Sequence, residues 1–240
     1  MKAPEISAVV PVYNERRFLP VTLARIGQRT ESKQVVIVDD HSTDGTSQWL
    51  KLLASGKVKI AGLKRSDLTI VFHPENRGKG AALRTGFARC RGQFIVIQDA
   101  DLEYDPADWT ALLGPLRSGR ADVVYGTRLA GGGEHRVLLF WHSVGNALLT
   151  LLSNMMTNLN LTDMETGAKA FRRSIASKFR ISSDRFGVEP ELTAKFARLG
   201  CRMYEVPISY HGRTYSQGKK ITWRDGLAAF LHILRFRFFD

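Results

Sequence analysis

Residues 94–106 read FIVIQDADLEYDP, and four acids, Asp99, Asp101, Glu103 and Asp105, stand on alternate positions directly behind an apolar run. Like charges so close repel, and the cost is offset by a cation, a basic neighbour, solvent, or a reaction that needs a carboxylate base. If the backbone stays extended past Asp99, then Asp99, Asp101 and Glu103 point to one side. Hard oxygen donors at a strand end suit Mg2+ or Mn2+, completed by substrate phosphates and water. Asp105 precedes Pro106 and is expected to cap the next helix, with proline in its first turn.

Four more polar clusters follow apolar runs: PVYNE (11–15), DDHSTDGT (39–46), HPENRGKGAA (73–82) and GTR (126–128). Asp39 and Asp40 come straight out of a core run, where they could accept hydrogen bonds from a uracil edge or ribose hydroxyls. Ser42 or Asp44 is the expected cap of the helix that follows, whereas Asp39 and Asp40 lie too early for that. NRGKGAA puts Lys79 and two glycines at a helix start, where free backbone N–H groups and a cation favour phosphate. Gly-Lys-Gly lacks the spacing of a Walker motif.

The elements that must position these clusters alternate regularly. Strand-like runs occupy 6–12, 34–39, 68–73, 93–99 and 121–127, with helical patterns near 15–29, 44–55, 79–91 and 106–118. Such alternation implies right-handed crossovers and a mostly parallel sheet covered on both faces. Ligands of such sheets collect beyond the C-terminal strand ends, where all five polar clusters fall. After Arg128 the rhythm changes. A glycine-rich loop at 129–136 precedes a long apolar-polar helix within 137–161, a strand at 168–173, a helix with an acidic start at 188–200 and a strand at 202–211. The last twenty residues, ITWRDGLAAFLHILRFRFFD, read as an amphipathic helix, resting on anionic lipid or packed on the domain.

Composition narrows the partners. The 240 residues suit one domain with a small appendage, and 35 Lys and Arg against 23 Asp and Glu leave a net charge of +12. That surplus favours polyanions: nucleotides, nucleic acid or an anionic membrane surface. Nucleic acid is disfavoured, because no RNP, KH or zinc pattern occurs and the acidic cluster would repel a phosphate backbone. Two distant cysteines, Cys90 and Cys201, read as free thiols in a reducing compartment. The start lacks the pattern of a signal peptide and no run is long enough to span a membrane, so the expectation is a cytoplasmic protein, peripheral on the membrane's cytoplasmic face.

These residues carry a family resemblance. VVPVYNE, VIVDDHSTDGT, ENRGKGAALRTGF, DADLEYDP and DVVYGTR are followed by DMETGAKAFRR, FGVEPELTAKFARLG and YEVPISYHGRTYSQGKK. From residue 6 to about 225 the chain resembles GT-A family 2 glycosyltransferases, most closely those making polyprenyl-phosphate or dolichyl-phosphate mannose or glucose. The resemblance implies a Rossmann-like α/β fold: a catalytic domain over 1–220, with a nucleotide-sugar half to about 128 and an acceptor half from 129. Residues 221–240 would form a C-terminal interface helix. It also implies that Pro11, Tyr13, Glu15, Asp39, Asp40, Asn76 and Lys79 line the nucleotide. Asp99 would sit near the sugar or ribose, and Asp101 with Glu103 would hold the divalent ion. Arg128 would meet a donor or acceptor phosphate, and Arg213, Lys219 and Lys220 would close over the diphosphate. His142, Ser143 and Asn146 match the stretch near a lipid-linked acceptor.

Three positions depart from the family pattern: His41 for a usual glycine, Glu103 where relatives carry Gln, and METG (164–167) for a serine-glycine form. The Gln-x-x-Arg-Trp sequence of processive synthases is absent, which argues for transfer of one sugar. The expected activity is metal-dependent, inverting transfer of a hexose from UDP-glucose or GDP-mannose to polyprenyl phosphate, with a slight lean to UDP-glucose. One alternative is transfer to a saccharide hydroxyl with Asp163 or Glu165 as base. Another, minor, is a non-catalytic sugar-nucleotide binder.

Overall fold

The computed structural model describes residues 3–129, 139–185, 187–212 and 223–239. Arg213, Lys219, Lys220 and the glycine-rich stretch after Leu129 lie outside the described residues. Seven strands form one sheet: β1 (Ile6–Val12), β2 (Lys33–Asp39), β3 (Leu68–Phe72), β4 (Phe94–Ile97), β5 (Val123–Thr127), β6 (Lys169–Arg172) and β7 (Met203–Pro207), in the order β3-β2-β1-β4-β6-β5-β7. The helices are α1 (Leu19–Gly27), α2 (Thr46–Ala54), α3 (Lys79–Phe87), α4 (Trp109–Arg117), α5 (Phe140–Thr157), α6 (Arg173–Ala176), α7 (Val188–Arg198) and α8 (Trp223–Phe238).

Both faces of the sheet are covered, and side-chain alternation divides the core in two. Ile6, Ala8, Val10 and Val12 of β1, with Val35 and Ile37 of β2, pack toward α1, α2 and α4 through Leu23, Trp49 and Leu112. Val9, Val36, Val38, Ile95 and Ile97 face the other way, toward Leu83 of α3, Leu192 and Phe196 of α7 and Ile233 of α8. Strands buried on both sides have no polar face, which is why the sequence shows continuous apolar runs there.

β6 breaks the parallel pattern. It lies antiparallel between β4 and β5, with Val96 opposite Ala170 and Tyr125 opposite Lys169. Its reversed direction brings its first residues, and the turn before them, to the edge where the parallel strands end. β7 then pairs parallel with β5.

The C-terminal helix packs on the body: α8 lies against α5 and α7, with Ala229, Ile233 and Phe236 buried. It still leaves Leu231 and Phe238 in solvent, as α5 leaves Phe140, Trp141, Leu148, Leu151 and Met155. Among the described residues no helix is long and apolar enough to cross a membrane.

Candidate active site

At the ends of β1 and β2 the chain supplies Pro11, Tyr13, Glu15, Asp39 and Asp40. Tyr13 is exposed and Pro11 partly so, while Glu15 and both aspartates are buried. Asp39 accepts from the Ser42 amide at 3.3 Å and from the Ser47 hydroxyl, which fastens the turn into α2. The N-cap of α2 is Gly45, with φ +92°, and not Ser42 or Asp44; Asp44, one residue earlier, accepts from the Thr46 amide at 3.0 Å and so braces the turn into the helix.

Asp40 is tied to the loop that precedes α3. Its carboxylate lies 2.7 Å from His73 Nδ1 and accepts from the amides of Arg77 at 3.0 and 3.1 Å and Gly78 at 2.6 Å. Asn76 donates to the Asp40 carbonyl at 3.2 Å. A buried carboxylate gathering otherwise orphaned amides is a tie for the loop before α3, so Asp40 positions that loop.

Lys79 is likewise engaged. Its ammonium lies 3.1 Å from Asp99 Oδ1, 3.2 Å from Oδ2 and 3.0 Å from Glu189 Oε1 of α7. Burial opposes its charge, but the two carboxylates outweigh burial and push its pKa well above the ordinary lysine value. The α3 start faces protein: Ala81 donates to the Asp184 carbonyl at 3.1 Å. A Cβ on Gly80 would fall 2.1 Å from the Ser183 carbonyl oxygen, so close backbone approach accounts for this glycine. The start of α3 thus forms a junction with the 183–184 segment and α7.

Past β4 the chain does not stay extended. Leu102 has φ +64°, in the left-handed region, and the acids are spread around a bend. Asp99 pairs with Lys79. Asp101 Oδ1 accepts from the Glu103 amide at 3.1 Å, and Glu103 Oε2 accepts from the Tyr210 hydroxyl at 3.0 Å. Asp105 accepts from the Ala107 amide at 2.8 Å and pairs with Arg25 at 2.8 Å, the helix-start role expected of it. Asp101 and Glu103 are partly exposed, and among the described residues no three His, Cys, Asp or Glu converge as a metal cage. Two hard carboxylates fit a Mg2+ or Mn2+ ion whose other ligands are substrate phosphates and water.

The bend is braced by aromatic rings. Tyr104 and Tyr210 pack at 5.3 Å, and the Tyr104 hydroxyl accepts from the Gly167 amide at 2.9 Å. Burial pushes the Tyr104 pKa up to about 12. On its other side the Tyr210 ring lies 5.1 Å from the Arg128 guanidinium.

Arg128, at the end of β5, is held by Asp163. Its Nε donates to Oδ2 and its Nη2 to Oδ1, each at 2.6 Å, and its amide donates to Oδ2 at 3.1 Å. Asn146 of α5 completes the group, accepting from Arg128 at 3.3 Å and donating to Asp163 at 3.1 Å. Burial alone would raise the Asp163 pKa; the hydrogen bonds and charge of Arg128 reverse that and hold it below the usual value. Ser143 and His142, a turn earlier on α5, are partly exposed.

Glu165 and Lys169 lie within electrostatic reach of one another, and Arg128 acts on Glu165 as well. Burial drives the Lys169 pKa down, yet its ammonium donates to the carbonyls of Met164 and Thr166 and sits 4.5 Å from the Tyr125 ring. Burial, then the charge of Glu189, pushes the Glu165 carboxyl well above the usual carboxylate range.

Glu189, Tyr104, Tyr210 and Lys169 are therefore part of the site although residue-type reasoning did not select them. The acidic first turn of α7, VEPE, was the one local signal for Glu189.

Comparisons with known proteins identify the family. A sequence profile described as glycosyl transferase family 2 matches residues 7–180. An undecaprenyl-phosphate mannosyltransferase from Micrococcus luteus is 30% identical over 226 residues, covering 89% of this chain and 86% of that protein. A polyprenol monophosphomannose synthase from Mycolicibacterium smegmatis is 28% identical, over 88% of this chain and 79% of its own. Glucosyl-3-phosphoglycerate synthase from Mycobacterium tuberculosis, solved with Mn2+, UDP and phosphoglyceric acid, superposes with a TM-score of 0.72. The likeness runs over 99% of this chain and 80% of that one at 20% identity, and speaks for the GT-A fold.

Proposed function

Since the chain belongs to glycosyl transferase family 2, we propose that it transfers one hexose, with inversion, from a nucleotide-diphosphate sugar to a polyprenyl phosphate at a membrane surface. The observation that carries the reading is Arg128, fixed by Asp163 and Asn146 where β5 meets α5, one aromatic ring away from Glu103. A guanidinium oriented by a carboxylate presents its remaining edge to a phosphate. α5, which contributes Asn146, also exposes Phe140, Trp141 and Leu148, a surface suited to a prenyl chain and lipid. The names of the two curated relatives point to the same acceptor class.

Asp101 and Glu103 would hold the divalent ion on the donor diphosphate. When bound, such an ion compensates the charge that builds on the leaving group. Tyr13 and Pro11 border the open end of the site where the base would lie. Arg128 binds and orients the acceptor phosphate. A phosphate monoester with a second pKa of about 6 is largely dianionic at pH 7, so its oxygen attacks without a protein base. Lys79 and Glu189 hold Asp99 in place on the donor side.

A second reading follows from Glu165. A carboxyl whose pKa is raised toward neutrality is what a general base needs, and a saccharide hydroxyl acceptor would need one. Asp163 does not suit that role, because Arg128 keeps it ionised and occupies both its oxygens.

The test is a screen of UDP-glucose, GDP-mannose and other nucleotide sugars with polyprenyl phosphate and Mg2+ or Mn2+, with the lipid product identified by mass. A hexosyl-phosphoprenol is the expected product. Exclusive transfer to a saccharide hydroxyl would sink the phosphate reading and favour the second.

A further inference from the structure

Glu165 is partly exposed at the edge where Arg128 stands, yet its Oε1 is buried and has no hydrogen-bond partner among the described residues. An unpaired buried carboxylate oxygen is costly, and natural sites retain one for a reason. The charged groups that act on it are Glu189 of α7, Lys169 of β6, Arg128 after β5 and Asp163 in its own turn, and Lys79 of α3 joins Glu189 to Asp99 after β4. Three cations there face three carboxylates, and each carboxylate has a cation either bonded to it or beside it. Glu165 makes four carboxylates against these three cations, and Lys169 beside it is hydrogen-bonded to the Met164 and Thr166 carbonyls, so a proton on Glu165 is the simplest way to neutralise the excess charge.

A protonated carboxyl is a donor, and this one lacks an acceptor within the protein. An acceptor phosphate on Arg128 would bring oxygens rich in lone pairs. We propose that Glu165 is a proton-bearing ligand of the acceptor: its neutral carboxyl donates a hydrogen bond to a phosphate oxygen held by Arg128. The inference rests on the phosphate-acceptor reading and deepens it. It also explains why this carboxylate does not repel a dianion, since the acid confronts the phosphate only in its uncharged form. The upward shift of its pKa through burial and Glu189 agrees.

The test compares the full-length protein with Glu165→Gln and Glu165→Leu. For each, kcat and the KM for polyprenyl phosphate are measured across pH. In the unsubstituted protein the acceptor KM should climb as Glu165 ionises. Glutamine keeps an N–H donor and cannot ionise, so its alkaline climb should be absent. Leucine has no donor and should raise the acceptor KM by about tenfold or more. Three results would overturn the proposal. One is a leucine variant with the original KM. Another is a glutamine variant that keeps the alkaline climb. The third is a glutamine variant that loses turnover at unchanged KM, the mark of a general base. Infrared difference spectra against Glu165→Gln provide a readout without transfer. A protonated-carboxyl band should be present at neutral pH and shift when inorganic phosphate binds. Its absence, or indifference to phosphate, overturns the proposal. Band and shift with no transfer to polyprenyl phosphate would instead count against the proposed lipid acceptor alone.

Discussion

Tyr210 touches Glu103 with its hydroxyl, Oη to Oε2 at 3.0 Å, and Arg128 with its ring, 5.1 Å from the guanidinium. One side chain thus joins an acid expected to hold the ion to the arginine expected to hold the acceptor. Tyr210→Phe removes the first contact and keeps the second. Loss of one hydrogen bond to a charged group, worth about 1.5–3 kcal/mol, should raise the half-saturating Mn2+ concentration about tenfold or more with little change in acceptor KM. Tyr210→Leu should raise both. Manganese titrations of turnover, with calorimetry of nucleoside-diphosphate binding, separate the two effects.

Asp163 is fully buried and carries Arg128. Asp163→Asn leaves a buried guanidinium without its counterion, which should cost about 3–5 kcal/mol. The pH dependence has a definite sign. Because the folded pKa of Asp163 is depressed, its contribution is present above the unfolded value near pH 4 and is lost as pH falls below it. Denaturant unfolding should therefore show the gap between the two proteins narrowing in acid. A constant gap would contradict the assignment.

Gly167 lies so near Asp99 that an added Cβ would fall 2.4 Å from Oδ2 and 3.0 Å from the Tyr104 ring. Gly167→Ala should force Asp99 from its place on Lys79 and disturb the Tyr104 brace. Overpacking of this kind costs about 1–3 kcal/mol. Activity should suffer more than the fold: turnover drops severely while the melting temperature moves by a few degrees. Thermal unfolding measured beside turnover makes the comparison.

His41, where the family pattern has glycine, adopts φ +63° and is exposed. The left-handed region costs an L-residue about 1–2 kcal/mol, part of which glycine returns as greater freedom in the unfolded chain. His41→Gly should then stabilise the protein by about 0.5–1 kcal/mol, read as a higher denaturation midpoint at unchanged slope. A loss of stability would mean that the imidazole makes a favourable contact.

The parallel part of the fold was readable because its signals are local. Five buried runs and the helices between them are periodic stretches, and their ends collect the polar clusters at one edge. Asp105 with Pro106 was readable for the same reason. Asp40 and Lys79 were harder, since an acid or a lysine at a strand or helix end serves a ligand and a loop equally well. Their partners within the protein are distant in sequence: His73 and the amides of Arg77 and Gly78 for one, Glu189 for the other. The bend at Leu102 follows from Tyr104 pairing with Tyr210, another contact between remote segments. No window of residues around either tyrosine contains that information.

The insertion of β6 between β4 and β5 constrains how the chain assembles. A nascent chain ending at Thr127 has both neighbouring strands but not the one that separates them, so β4 presents an unpaired edge. The acids proposed to serve the donor are synthesised early, yet the sheet under them closes only after Arg172 leaves the ribosome. Folding of the segments before and after residue 128 is therefore one late event with long-range contacts. A fragment cut at the apparent boundary near residue 128 is predicted to aggregate rather than bind nucleotide.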